Sequence, residues 1–350
     1  MNPYRSLPDH AFWRRAVAGP DEVDPVASVP FTIAAADKVA TAGSCFAQHI
    51  ARHLSKAGFS YYVTERAHPL VAAEDAAEFN YGTYTSRYGN LYTARQLLQL
   101  FDRAYGHFRP LEDVWGGEGG LIDPFRPQIQ PGGFATRTEY DLDRRAHFAS
   151  VRRAFESLDV LVFTLGLTES WLSREDGAVF PVCPGVSGGD FDPARHVFHN
   201  FTVDEVVADL TAFIARLRTV NPTARMILTV SPVPLVATAG DDHVLSATTY
   251  SKAVLRVAAE TVSRSHRDVA YFPSYEIITG PAARGRYYAE DLRSVLEEGV
   301  SHVMRVFMRH YAKDHEAAAA PVPAPPDRVD TIGRMRELVK VACEEEALDS

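Results

Sequence analysis

A short stretch around residue 45 holds the side chains best suited to covalent chemistry. Residues 38–42 are typical of a short buried strand, Gly43 permits a tight turn, and Ser44 and Cys45 stand where a helix begins. A strand that turns sharply into a helix lifts the turn side chains above the sheet edge, where the first N–H groups of the helix also point. A thiol held there is expected to have a lowered pKa, because the helix dipole favours the thiolate. The stretch therefore predicts a nucleophile; the alternative is that Ser44 is an N-cap and Cys45 a small core residue.

Polar side chains follow the strongest buried-strand pattern of the chain. Residues 158–166 form a continuous apolar run bounded by turn residues, and Thr168, Glu169 and Trp171 come directly after it. Open α/β sheets bind their ligands at the carboxyl ends of central strands. We therefore predict that Glu169 and Trp171 contribute to substrate binding.

An aromatic, glycine-punctuated loop at residues 81–93 precedes another helical pattern. Such a loop can supply backbone N–H donors to a ligand. Its tyrosines, Tyr88 among them, suit a sugar or a carboxylate, as do the tyrosines and arginines at 284–288. The alternative interpretation is an aromatic surface loop that binds nothing.

Cysteine and histidine spacing gives no sign of a metal site or a disulfide framework. Cys45, Cys183 and Cys343 are an odd number and lie far apart, so a reducing cytoplasm is expected. His196 and His199 are three residues apart, but they lack a third ligand and lie among prolines and glycines. No motif demands a metal or an organic cofactor, although an acyl-thioester donor would fit the chemistry of a thiol.

Composition and charge place the chain among ordinary globular proteins. It has 350 residues, of which 46% are hydrophobic and 23% charged, with 36 basic and 45 acidic residues for a net charge of −9. Nothing here favours a nucleic acid or an anionic membrane as partner. The first residues lack the apolar run of a signal peptide, and no uncharged apolar segment of about 18 residues suggests a transmembrane helix. We expect a small-molecule substrate.

Strand and helix patterns alternate along the chain, which predicts a parallel sheet with helices on both faces. Strands are predicted at about 38–42, 59–63, 158–166, 225–232 and 268–273, and helices at about 46–57, 94–105, 141–157, 203–219, 246–263 and 298–311. This is the order of a flavodoxin-like three-layer α/β/α sandwich with about five parallel strands.

The remaining segments flank or interrupt this domain. Residues 1–37 are predicted to form an arm that packs across the main domain at 38–312, and 106–140 an irregular insertion that covers one edge. Residues 313–350 combine an Ala- and Pro-rich linker with a short helix at about 331–345. We expect that helix to dock on the domain or to mediate contact with another copy of the chain.

The motifs together resemble the GSCFA family over roughly residues 35–312. The resemblance rests on Gly43-Ser44-Cys45-Phe46-Ala47, Gly89-Asn90, Thr164-Leu165-Gly166-Leu167-Thr168-Glu169, Ser231-Pro232-Val233, Ser251-Lys252 and Tyr271-Phe272-Pro273-Ser274-Tyr275-Glu276. That family looks like a branch of the SGNH (GDSL-type) hydrolases and acyltransferases, which share the flavodoxin-like sandwich. Their first block is Gly-Asp-Ser-Leu with the serine as nucleophile. Laid over it, Ser44 matches the aspartate and Cys45 the nucleophile, so the resemblance implies a thiol, with Ser44 as the fallback.

The resemblance also implies an oxyanion hole. The glycine N–H of the second SGNH block corresponds to Gly89. The asparagine of the third block, Gly-x-Asn-Asp, corresponds to Thr168, whose hydroxyl can donate only one hydrogen bond. Asn90 is a substitute donor.

The expected general base is missing from its usual place. The fifth SGNH block, Asp-x-x-His, has Asp291 in register but Ser294 at the histidine position. We predict that His243, in the loop after the fourth strand, serves instead, with His302 in the closing helix as second choice; either can equally be an ordinary surface histidine. A thiolate stabilised by the helix dipole would need less help.

These observations favour an acyl-transfer enzyme, either a hydrolase or an acyltransferase, that works through an acyl-enzyme on Cys45 or Ser44. The alternative is a non-catalytic carbohydrate- or acyl-binding module on the same fold, because a fold does not carry its function with it.

Overall fold

The central sheet of the computed structural model has four parallel strands in the order β1-β4-β8-β9. The structure describes residues 2–18, 22–56, 59–312 and 344–348. The strands are β1 (Val39–Gly43), β2 (Trp115–Gly117), β3 (Gly120–Ile122), β4 (Val160–Leu165), β5 (Glu169–Ser173), β6 (Val179–Phe180), β7 (His196–Asn200), β8 (Arg225–Val230) and β9 (Val269–Tyr271). The helices are α1 (Trp13–Ala16), α2 (Phe46–Lys56), α3 (Ala73–Glu78), α4 (Ala94–Ala104), α5 (Arg137–Ser157), α6 (Val203–Val220), α7 (Val244–Ser265), α8 (Ser274–Thr279) and α9 (Glu297–Tyr311).

Helices cover both faces of this sheet, which confirms the three-layer α/β/α sandwich. Side chains of β4 alternate between two cores: Leu161 and Phe163 enter the larger one, and Val160 and Val162 the other. The larger core contains α4, α5, α6 and α7, and the other contains α2, α8 and α9. Because β4 is covered on both faces, all six of its residues are buried, and its sequence is a continuous apolar run.

The sheet has four strands where about five were predicted. The predicted strand at 59–63 forms only an isolated parallel bridge from Tyr61 to Val39, the first residue of β1. Thr64 then donates its N–H to the carbonyl of Thr85, which draws the chain away from β1. The bridge nevertheless occupies the edge position that a second strand has in a flavodoxin-like sheet.

Two smaller sheets lie where no strands were predicted. β2 and β3 form an antiparallel pair inside the insertion at 106–140. β5 pairs with both β6 and β7, so residues 169–200 form a three-stranded antiparallel sheet. These strands have two to five residues each, too few for a periodic pattern to be recognised in the sequence.

The N-terminal arm lies against α9. Ile33 is fully buried and donates its N–H to the carbonyl of Tyr311 at 2.7 Å. Asp24 accepts hydrogen bonds from Arg309 and His310. The predicted helix at 331–345 lies almost entirely outside the described residues, of which 344–348 form a short 3-10 helix. Among the helices that the structure describes, none has the length and apolarity needed to cross a bilayer.

Candidate active site

The turn between β1 and α2 is built around Gly43. Its φ of +134° lies where side-chain-bearing residues are rarely found, and a Cβ at this position would lie 2.3 Å from the carbonyl oxygen of Thr164. Ser44 donates its N–H to that same oxygen at 3.1 Å. The close approach to β4 therefore requires glycine and carries the chain over the carboxyl end of the sheet.

Cys45 lies at the very start of α2. The carbonyls of Ser44 and Cys45 accept the first N–H groups of the helix, from Ala47 at 2.8 Å and Gln48 at 3.1 Å. The Cys45 side chain is 8% exposed, so it is nearly enclosed but still reaches the pocket described next. Ser44 is also buried, and its Oγ has no hydrogen-bond partner among the described residues.

Cys45 and Ser44 line a small pocket at the carboxyl ends of three neighbouring strands. The three strands end at about the same level, because Gly43 pairs with Thr164 and Thr164 pairs with Thr229. The pocket is lined by residues that follow β1, β4 and β8, by one residue of the loop before α4 and by one residue of α7: Ser44, Cys45, Tyr92, Gly166, Leu167, Ser231, Val233, Pro234, Leu235 and Lys252. Its volume of about 10 Å³ has room for one water molecule. The enclosed part of the pocket therefore has room for only a few atoms.

The loop that carries Gly89 and Asn90 lies beside the turn. Leu91 donates its N–H to the carbonyl of Gly43 at 2.8 Å. The side-chain oxygen of Asn90 accepts a hydrogen bond from Gln48, in the first turn of α2, at 3.2 Å. Gly89 has a φ of +72°, so glycine is favoured there as well. The structure thus brings both predicted oxyanion donors close to the start of the helix that carries Cys45.

Thr168 does not fit the oxyanion role that the sequence predicted. Its hydroxyl donates to the side-chain oxygen of Asn200 at 2.6 Å, and the residue is fully buried. Its N–H donates to Ser251 Oγ at 3.0 Å. Both donors are therefore committed to the connections of the loop with β7 and α7.

Two of the three predicted substrate-binding residues lie on β5, and the third lies in the core. Glu169 accepts a hydrogen bond from Thr238 at 2.7 Å, and burial raises its pKa. Trp171 packs against the rings of Phe191 and Phe198, and neither Glu169 nor Trp171 lines the pocket. Tyr88 is 3% exposed and donates its hydroxyl to the carbonyl of Thr41, so that hydroxyl is used within the core, and its role in substrate binding stays a prediction.

Both predicted histidines are hydrogen-bonded to residues outside the pocket that contains Cys45. His243 is exposed and caps α7, since its Nδ1 accepts the N–H of Leu245 at 3.1 Å. His302 is buried within the other core and pairs with the hydroxyl of Tyr287 at 2.7 Å. Neither residue lines the pocket.

Asp291 is likewise used within its own turn. Its carboxylate accepts the N–H groups of Arg293 and Ser294, each at 2.9 Å, and the hydroxyl of Ser294 at 2.5 Å. Ser294 stands at the position where SGNH enzymes have a histidine, and it binds the carboxylate of Asp291. The hydrogen bonds described for the Asp291 carboxylate thus stabilise its own turn, and a histidine is not among these partners.

The two histidines that are three residues apart, His196 and His199, contact different carboxylates. His196 lies 3.1 Å from Glu112, and His199 lies 2.8 Å from Glu205. Within the described ranges, no group of three or more His, Cys, Asp or Glu side chains could hold a metal ion.

Two ionisable residues near the site were not assigned a role from the sequence. Lys252 is 2% exposed, lines the pocket, and donates from Nζ to the carbonyl of Gly166 at 2.5 Å. His49 lies one turn after Cys45, and burial together with Arg52 lowers its pKa to about 4. The sequence does carry a signal for the burial of Lys252. This lysine directly precedes the apolar run Ala253-Val254-Leu255 of α7. Lysine is almost never fully buried unless it is paired.

Comparison with known proteins places the chain in a family. No curated protein is significantly similar to it in sequence. Among solved structures, it is similar to a mutant of Axe2, an acetyl-xylooligosaccharide esterase from Geobacillus stearothermophilus, with 15% identity and a TM-score of 0.31 over 80% of this chain and 95% of that one. The GSCFA family model matches residues 38–307. This match covers well over half of the chain and confirms the family predicted from the motifs: the protein belongs to the GSCFA family.

Proposed function

We propose that this protein is an acyl-transfer enzyme that forms a covalent acyl-enzyme on Cys45. The observation that carries the proposal is the position of the thiol at a strand-to-helix turn, facing a pocket formed by the ends of β1, β4 and β8. This edge of the sheet is where open α/β folds bind ligands. The helix N-terminus beside the thiol supports a thiolate there.

In the proposed reaction Cys45 attacks the carbonyl carbon of a small ester or thioester, or of an acylated saccharide. The oxyanion that develops is stabilised by backbone N–H groups at the start of α2 and by the Gly89–Asn90 segment. Each such donor contributes about 3 kcal/mol in the transition state. The acyl group then passes to water, an alcohol or an amine.

A thiol is favoured over the neighbouring hydroxyl for two reasons. The GSCFA motif puts Cys45 in register with the SGNH nucleophile, and a thiol attacks more readily than a hydroxyl near neutral pH. The Ser44 side chain lies against Gly166. A Cβ added at Gly166 would be 3.0 Å from the Cβ of Ser44. Its buried Oγ lacks a described partner that could take its proton.

Intact-mass spectrometry after incubation with p-nitrophenyl acetate or S-phenyl thioacetate tests the nucleophile. The wild-type protein should gain one acetyl group on Cys45. Cys45→Ala should gain none and lose at least about 10³-fold in turnover, as expected when a covalent nucleophile is removed. Ser44→Ala should keep its acetyl mass, since it removes a hydroxyl that is already without a partner.

Cys183→Ala is the matched control for thiol chemistry. Burial raises the pKa of Cys183 to about 11, so this thiol stays protonated near neutral pH and should neither acylate nor matter for turnover. If the Cys45→Ala variant still gained an acetyl group and the Ser44→Ala variant did not, Ser44 would be the nucleophile.

The commitment of Thr168 and Asp291 to other contacts favours a second candidate, a non-catalytic binding module for acyl groups or carbohydrates. Such a module would bind substrate without gaining covalent mass. If the wild-type protein gains no acyl mass from either ester or thioester but shows saturable binding, this second function replaces the first.

A further inference from the structure

Lys252 is held at the pocket by contacts on two successive residues of α7. Ser251 Oγ accepts the N–H of Thr168 at 3.0 Å, and Lys252 Nζ donates to the carbonyl of Gly166 at 2.5 Å. Both partners lie in the loop that follows β4. The ammonium group therefore has a fixed position at the carboxyl end of the sheet, although burying a lysine costs stability.

The pocket offers few other groups that could exchange a proton. Among the residues that the structure describes, its lining contains no His, Asp or Glu, and its ionisable side chains are Cys45, Tyr92 and Lys252. The residues that follow β4 and β8 contribute only Gly, Leu, Ser, Val and Pro. Cys45 and Lys252 therefore share one small pocket, which has room for about one water molecule between its polar groups.

We propose that Lys252 is the proton-exchange partner of Cys45 and replaces the histidine that is absent at position 294. This inference rests on the proposed acyl-transfer function. In the resting pair the Cys45 proton resides on Lys252, which gives a thiolate and an ammonium. A nearby cation is a known way to activate a cysteine, and lysine can also release its proton.

The proposed cycle returns each group to its starting state. The thiolate forms a C–S bond with the substrate carbonyl carbon, and the π pair moves to the oxygen. When the carbonyl reforms, the bond to the leaving group breaks, and the leaving atom takes a proton from the Lys252 ammonium. The neutral amine then removes a proton from the incoming water or alcohol, whose oxygen attacks the thioester and expels the Cys45 thiolate.

The pH dependence of Cys45 alkylation by iodoacetamide, followed by site-resolved mass spectrometry, tests the resting pair. In the wild-type protein the alkylation midpoint should lie at least one pH unit below that of an ordinary thiol, near 8.5. Lys252→Met should raise the midpoint and slow alkylation at pH 7 by about tenfold or more, because each unit of pKa changes the thiolate fraction tenfold. A wild-type midpoint at the ordinary thiol value would overturn the proposal even if every variant failed to fold.

Lys252→Arg separates charge from proton transfer. Arginine keeps the positive charge but does not release its proton, so alkylation should stay near the wild-type profile while turnover of p-nitrophenyl acetate falls by about 10²-fold. Lys38→Met is the matched control, since Lys38 is exposed at the opposite end of β1 and should change neither readout. If the Lys252→Arg variant turned over p-nitrophenyl acetate at the wild-type rate, the proton-transfer role would be contradicted.

His49 is the competing base, and His49→Gln distinguishes it from Lys252. This variant should keep turnover within about threefold of the wild type if Lys252 exchanges the proton. A large loss in His49→Gln, together with wild-type behaviour of Lys252→Met, assigns the role to His49. Absence of acyl mass on wild-type Cys45 refutes acyl transfer, whereas acyl mass that forms equally well with and without Lys252 refutes only this inference.

Discussion

A side chain at position 43 would occupy space that the neighbouring strand already fills. Gly43 combines a left-handed φ with the approach of the Thr164 carbonyl, so two separate constraints demand glycine at the turn. The following residues, Ser44 and Cys45, depend on this turn for their position above the sheet. The geometry of the Ser44–Cys45 segment is therefore set by the glycine that precedes it.

Gly43→Ala should destabilise the fold by about 3 kcal/mol or more, because the substitution adds a backbone clash to an unfavourable φ. Gly82→Ala is the matched comparison: its φ of +81° is also positive, but a Cβ there meets no atom within 4 Å. We expect that variant to lose only about 1–2 kcal/mol. Urea unfolding of both variants measures the difference, and equal losses would show that the contact with Thr164 is easily relieved.

Buried charges fix the loop that brings Gly89 and Asn90 to the turn. The side chain of Arg87 is almost fully buried, where it lies 2.9 Å from Asp143 and donates to the carbonyls of Phe79 and Ile129. Glu65 accepts the backbone N–H of Arg87 at 2.8 Å. A loop held by several such contacts can present N–H donors at a fixed place, which an oxyanion hole requires.

The carboxylate of Glu65 should make the fold sensitive to acid. Burial raises its pKa, but His147, Arg126 and the Arg87 N–H outweigh that effect and lower the pKa from 4.5 to about 2. Its stabilisation is therefore complete above pH 4.5 and is lost as the pH falls through about 2, a change of about 3 kcal/mol. Denaturant unfolding at pH 6, 4 and 2.5 should show this loss in the wild type and a flatter profile in Glu65→Gln.

Glu175→Gln is the control for this measurement, because Glu175 is exposed. Its unfolding profile should follow that of the wild type at each pH. If Glu65→Gln kept the full acid sensitivity of the wild type, the network around Arg87 would not be its source.

At the scale of the whole molecule, the N-terminal arm joins the start of the chain to its last described long helix. Val26, Val29 and Phe31 pack against the same core as α9, and Ile33 pairs with the end of that helix. Residues 2–18, by contrast, contain no buried side chain. The two parts of the arm should therefore differ in their contribution to stability.

Truncation separates these two parts. Removal of residues 1–18 should leave the melting temperature within a few degrees of the full chain. Removal of residues 1–33 exposes the apolar side of α9 and should lower the melting temperature by about 10 °C, because several partly or fully buried apolar side chains lose their contacts. Differential scanning calorimetry measures both, and similar melting temperatures for the two truncated chains would show that the arm does not stabilise the fold.

The sequence alone determined the family, the three layers and the strand–turn–helix that carries Cys45. These features depend on local patterns, since a buried β4 reads as an apolar run and the turn needs glycine at one position. It could not show that Thr168 and Asp291 are bound elsewhere, that His243 is a helix cap, or that Lys252 lines the same pocket as Cys45. Those facts depend on which residues meet when β1, β4, β8 and α7 pack together, and sequence spacing does not record such contacts between distant segments.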